Sequence, residues 1–168
     1  MKKLLVLSPL LLLMLPACSL AATLHFDEFG TSPLLSVDGM HVFGVTFHFS
    51  PGSADYNGQI GTSGLAVLVS DPLLTGPTTG TLTLTFDDPT PLLQFDLALL
   101  SLDTISSAHK VTLSSGEVLS GSTEPQPLGL YSEGTLLYTG VPATGAAITF
   151  FGGTDSMGAM FRPLAWTT

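Results

Sequence analysis

Five carboxylates stand where this chain turns. Asp27 and Glu28 follow one apolar–polar segment, Asp87 and Asp88 follow another, and Asp155 precedes the last. Loop carboxylates joined by backbone carbonyls suit Ca²⁺, because a hard cation takes about six to eight oxygens in a flexible cage. If the first and last strands are neighbours, Asp27, Glu28 and Asp155 converge, and these three are the candidate Ca²⁺ ligands. The competing reading is that acidic residues simply solvate strand ends and cap turns.

Other side chains offer weaker chemistry. The histidines are His25, His41, His48 and His109. His41 and His48 flank one segment, but residues seven apart on a strand face opposite sides, so they share no site unless a bulge intervenes near Gly44. All four therefore read as isolated histidines on polar faces. Gly61-Thr62-Ser63-Gly64 is one residue short of a nucleophile elbow and reads as a glycine-rich turn. A glycosidase needs two carboxyls about 5–9.5 Å apart; several pairs could meet that and nothing selects one, so no catalytic residue is assigned. Sugar binding favours exposed aromatic rings that stack with one face while a polar tip stays hydrated. Of Tyr56, Tyr131, Tyr138 and Trp166, the best placed is Tyr56, in the loop-like Tyr56-Asn57-Gly58, and it is the candidate ligand-binding residue. The ten phenylalanines fall within strand patterns and are expected in the core.

The elements that must position these groups are strands. At Thr81–Phe86, Leu82, Leu84 and Phe86 alternate with three threonines, and Val45, Phe47 and Phe49 alternate with Thr46 and His48. Such period-two patterns predict half-buried strands. Leu24 and Phe26 mark a first strand and Leu65–Val69 another. Leu92–Leu100 is apolar enough on both faces to sit centrally. Lys110–Leu113, Glu117–Ser120, Thr135–Tyr138, Ala146–Phe151 and Ala159–Trp166 continue the rhythm. Ser115-Gly116 fits a hairpin turn, and Pro163 calls for an edge or a bulge. Ser122–Pro127 reads as a loop and Leu102–Ala108 as one short helical turn. About eight to ten short strands without sustained helical periodicity predict an all-β, antiparallel β-sandwich, jelly-roll-like, over 22–168 as one domain.

The N-terminus carries an address. Lys2 and Lys3 precede an apolar run from Leu4 to Leu15, followed by small residues at Ala17, Ser19 and Ala21. That is a signal peptide, 1–21, too short to span the roughly 30 Å hydrocarbon core of a bilayer permanently. Leu15-Pro16-Ala17-Cys18 loosely matches a lipobox, so lipidation at Cys18 stands as the alternative to cleavage after Ala21. Export is expected either way, to the periplasm or the extracellular space. Membrane contact then comes only through that lipid. Cys18 is the single cysteine, which excludes a disulfide within the chain.

Beyond residue 21 only Lys110 and Arg162 are basic, against thirteen acidic residues, a net charge of −11. A surface this acidic repels phosphate backbones, which excludes nucleic acid as a partner.

Leu24-His25-Phe26-Asp27-Glu28, Gly44-Val45-Thr46-Phe47, Val69-Ser70-Asp71-Pro72, Leu82-Thr83-Leu84-Thr85-Phe86 and Val111-Thr112-Leu113-Ser114-Ser115-Gly116 occur in that order. This order resembles the secreted β-sandwich domains of bacterial PEP-CTERM-type proteins, which are sorted to the envelope or matrix. The resemblance covers most of the chain after the leader. That family ends in a Pro-Glu-Pro motif, an apolar helix and a basic tail, none of which stands before Thr168; the resemblance thus implies a free or lipid-anchored member. Similar sandwiches carry an acidic residue in the last strand, where Met160 and Phe161 stand here.

The expected function is that of an exported, non-catalytic module that binds glycan or an envelope protein. The alternative is a secreted, glycan-active hydrolase on a jelly-roll scaffold. An eight-stranded outer-membrane barrel fits less well, because aromatic girdles are missing and several strands are shorter than the ~9–11 residues a crossing needs.

Overall fold

Burial follows the alternation. In Thr81–Phe86 the side chains of Leu82, Leu84 and Phe86 are buried, while the intervening threonines are half-buried or exposed. The computed structural model describes residues 21–24, 35–52, 54–57, 68–69, 72–100, 103–127, 131–151 and 159–167, giving the backbone course alone for 21–24, 56–57 and 159–167. Eleven strands lie among the described residues: β1 (Ala21–Leu24), β2 (Leu35–Ser36), β3 (His41–Val42), β4 (Val45–Ser50), β5 (Asp55–Asn57), β6 (Leu73–Gly76), β7 (Thr81–Leu100), β8 (Ile105–Leu113), β9 (Val118–Pro125), β10 (Tyr131–Phe150) and β11 (Ala159–Thr167). Their pairings are antiparallel, and eight follow one hydrogen-bonded path, β2-β5-β6-β11-β7-β10-β8-β9.

That path folds into two layers because β7 and β10 bend. The first half of β7 pairs with β4 and with the last residues of β10, whose other edge takes β8. The second half of β7 lies between the start of β10 and β11. At the corner, register shifts interrupt β10 between Thr139 and Ala143 and again before Gly145. On β7, the buried Thr90 hydroxyl donates to the Leu92 carbonyl at 2.7 Å.

One continuous core fills the space between the layers. Val45, Phe47, Phe49, Leu82, Leu84, Val111 and Ile148 come from the first layer, and Leu74, Leu93, Phe95, Leu97, Leu136 and Tyr138 from the second. Burying each large side chain contributes about 1.5–3 kcal/mol. This is the antiparallel, jelly-roll-like sandwich that the pattern predicts. On the first layer apolar side chains face in and hydroxyls out, while Val69, Leu73, Ala98 and Tyr131 form a second, smaller buried cluster. First and last strands are neighbours as expected, with Ala21 opposite Thr167 and Leu24 opposite Leu164.

Several local expectations hold. Leu92–Leu100 is central, Ser115-Gly116 turns β8 into β9 with Gly116 at φ +89°, and β11 slips register between Arg162 and Ala165, at Pro163. Others are corrected. Ile105–Ala108 extends β8 rather than forming a helical turn; Ser107 at φ +58° and a register shift before His109 let the strand run on through a bulge. Ser122–Pro125 belongs to β9, since Glu124 and Pro125 pair with Glu133 and Ser132 of β10. Tyr56 lies in β5, opposite Leu35 and Leu74, rather than in a loop. Leu68 and Val69 are not in a strand; their N–H groups donate to the buried Glu133 carboxylate at 2.8 and 3.1 Å.

Candidate functional site

The outward face of the first layer is an ordered array of hydroxyls. Register sets its three ranks. Ser50, Thr81, Thr149, Lys110 and Ser120 stand side by side across five strands; His48, Thr83, Ala147, Thr112 and Val118 form the next rank; Thr46, Thr85 and Gly145 the third, with Ser114 beside Gly145. Strands are about 4.8 Å apart and alternate residues about 6.7 Å, so the array is a regular grid. The grid follows from the sequence rule that built the core: every second residue faces out, and on β4, β7 and β8 that residue is mostly Thr or Ser.

β10 breaks the grid usefully. Its outward residues Gly145 and Ala147 are small, leaving a trough of about 350 Å³ between Thr83 and Thr85 on one side and Thr112 and Ser114 on the other. That volume is at the lower end of the ~300–1,000 Å³ range of small-ligand sites. A second hollow of about 530 Å³ continues past Thr81 and Thr149 to Thr78, Gly80 and the exposed ring of Phe151. The two lie along one line, running with β7 and β10 for about 20 Å between Gly145 and Phe151.

Hydrogen bonds stiffen one end. The Ser114 hydroxyl accepts from the N–H groups of Thr144 and Gly145 at 2.8 and 3.2 Å and lies 3.1 Å from the Thr144 hydroxyl. The hydroxyls of Thr83, Thr85 and Thr112, by contrast, engage no protein group among the described residues and are available to a ligand. No carboxylate lines either hollow.

Along the β4 edge stand two histidine–carboxylate pairs. His48 Nδ1 bonds the Asp38 carboxylate, and His41 Nε2 lies 3.4 Å from Asp87 while its Nδ1 meets the Thr46 hydroxyl at 2.9 Å. Asp38 also accepts from the Phe49 N–H at 3.1 Å, and that bond first, then His48, holds its carboxyl below the usual value. Spacing alone puts His41 and His48 on opposite faces. They share one, because Phe43 and Gly44, both at positive φ, fold β3 back onto β4 and set His41 opposite Thr46. Among the described residues no group of three metal-ligating side chains forms.

His109 departs from expectation most. It is fully buried beneath β8 and β9 with its ring 5.7 Å from that of Phe95, and neither ring nitrogen has a hydrogen-bond partner among the described residues. Burial lowers its pKa to about 4. Its sequence signals are its phase with the inward Val111 and Leu113 two and four residues on, and Gly121 opposite, where a methyl would collide with the imidazole.

Of the other candidates, Cys18, Asp27, Glu28, Asp155, His25, the Gly61–Gly64 turn and residues 1–20 of the leader lie outside the described residues. Tyr56 stands on the second layer, away from the array. Sequence reasoning missed the array because threonine alternation marks a wet face without saying which wet strands adjoin.

No protein-family model matches the chain, and no curated protein matches it in sequence. Among solved structures it is similar to a carbohydrate-binding module of family 29, at 10% identity and a TM-score of 0.38, over 88% of this chain and 89% of that one. It is also similar to a cleaved adhesin domain of Lys-gingipain from Porphyromonas gingivalis, at 14% and 0.38, over 88% and 97%. A third is the catalytic unit of an alpha-1,3-glucanase from Streptomyces thermodiastaticus, at 14% and 0.40, over 81% of this chain and 26% of that one. Likenesses at these scores carry no function across; only the array's own geometry bears on function.

Proposed function

We propose that this protein is an exported, non-catalytic module that holds an extended neutral glycan along the trough of the first layer. The observation that carries the reading is the trough itself: a floor of Gly145 and Ala147, walls of unengaged threonine hydroxyls, and the exposed Phe151 at one end.

Each part suits a sugar. The small floor admits the C–H face of a pyranose ring, the hydroxyls exchange hydrogen bonds with ring hydroxyls, and an exposed aromatic face stacks on a ring. Hydrogen bonds of this neutral kind contribute about 0.5–1.5 kcal/mol each, so affinity arises from several sugar units in line. Charge points the same way, since the chain carries −9 overall and the array a single lysine, Lys110, which disfavours polyanions.

Titration calorimetry of the protein against a panel of neutral oligosaccharides tests the reading. Ala147→Arg, which fills the trough from an outward position, should abolish binding while leaving the melting curve in place. Equal binding by wild type and A147R would refute the trough as the site. Release of reducing ends during incubation would refute the non-catalytic reading in favour of a hydrolase.

A further inference from the structure

We infer that Phe43 is a second aromatic contact for the same glycan, presented at the β3–β4 hairpin tip at a cost in backbone strain; this rests on the glycan reading above. Phe43 is 63% exposed and sits at φ +49°, followed by Gly44 at φ +83°. Two central residues at positive φ make a tight hairpin, and Val42 pairs directly with Val45 across it. Asn-Gly is the sequence such a turn prefers, because asparagine tolerates the left-handed region and bulky side chains do not. Phenylalanine is a poor choice for the turn and, with most of its surface in water, a poor choice for packing. Strain held at an exposed side chain is a sign of function.

Its location says which function. The tip continues the array beyond its third rank: the Gly44 carbonyl accepts from the Asp87 N–H at 2.9 Å, one position past the Val45–Phe86 pair. Phe43 and Phe151 thus mark opposite ends of the hydroxyl face, about 25–30 Å apart by strand spacing and rise. An extended glycan entering over Phe151 reaches Phe43 by running along the trough over β10 and then crossing β7 at Thr85 toward the β4 edge, two strand spacings or about 10 Å to the side. Nearby, the Asp38 carboxylate bonds His48 and the Asp87 carboxylate lies 3.4 Å from His41.

Phe43→Asn and Phe43→Tyr, each compared with wild type by melting and by calorimetry with the best neutral oligosaccharide, provide the test. F43N completes an Asn-Gly turn, so it should melt about 2–4 °C higher and bind about tenfold more weakly. F43Y, which keeps the ring, should bind within about twofold of wild type. Undiminished binding by F43N overturns the inference and leaves the trough reading intact. A lower melting temperature for F43N also overturns it, making Phe43 a packing residue. No binding by wild type removes both readings together.

Discussion

Acidification from pH 7 to pH 4 should destabilise this protein by up to about 3 kcal/mol through a single imidazole. His109 titrates near 6.5 in an unfolded chain and at about 4 in the fold. At about 1.36 kcal/mol per pH unit of displacement, the interval gives that figure. The sign follows from proton counting. Between pH 6.5 and about 4 the unfolded chain binds more protons at this position than the folded one, so unfolding becomes easier as pH falls. Above 6.5 the effect is absent, and below about 4 it is complete. The physical cause is a dry site: the ring lies between Phe95 and Gly121, and neither nitrogen has an acceptor or donor to share a charge with among the described residues. The charged groups on the surrounding strands face elsewhere. Lys110 is on the outer surface, Asp96 engages the Thr135 hydroxyl, Glu124 engages Thr104, and Glu133 holds the Leu68 and Val69 amides.

The assay is urea unfolding at half-unit steps from pH 4 to pH 7.5 for wild type and His109→Leu. The variant removes the titrating group and two unpaired polar atoms, so it should match or exceed wild type at pH 7 and lose less stability on acidification. Asp38 does not confuse the comparison. Its depressed pKa contributes stability that is present above 3.8 and is lost only as pH falls below that, and it is common to both proteins. Parallel stability curves for wild type and H109L across pH 4–6.5 would refute the reasoning.

Two further substitutions probe the packing. Gly121→Ala pushes a methyl into the His109 ring and should cost about 1–3 kcal/mol in urea unfolding; combining it with His109→Ala should recover part of that loss, and strict additivity would show that the two do not touch. Glu133→Ala leaves two backbone N–H groups without their acceptor and should destabilise by about 2 kcal/mol or more, with faster hydrogen exchange at Leu68 and Val69; unchanged exchange there would show that the carboxylate does not hold this segment.

Much of the fold was legible because alternation is a direct record of facing. Leu82, Leu84 and Phe86 and Val45, Phe47 and Phe49 announce two strands of one layer, Gly116 its hairpin and Pro163 a bulge in the other. What was not legible is what bends or crosses. Asp87-Asp88-Pro89-Thr90-Pro91 has the composition of a turn, yet β7 passes through it, because register with β10 resumes at Thr90 and Leu92 on the far side. His109 continues the alternation of the buried Val111 and Leu113 and could have been read as inward from that phase; what no period-two pattern yields is Ala108, buried beside it because the bulge at Ser107 shifts the register of β8. The hydroxyl array was half legible: its threonines were marked as outward, but their adjacency depends on β10 lying between β7 and β8, a long-range pairing no local pattern encodes.

The continuity of β7 and β10 has a mechanical consequence. Most layered proteins can be cut at a loop so that one sheet peels from the other, but here two unbroken ribbons are stitched through both. Tension applied to either sheet is therefore delivered to its opposite, and a pull on the outward face of the first layer would load the whole core at once instead of opening it edge first. That construction resists being unzipped strand by strand from an edge.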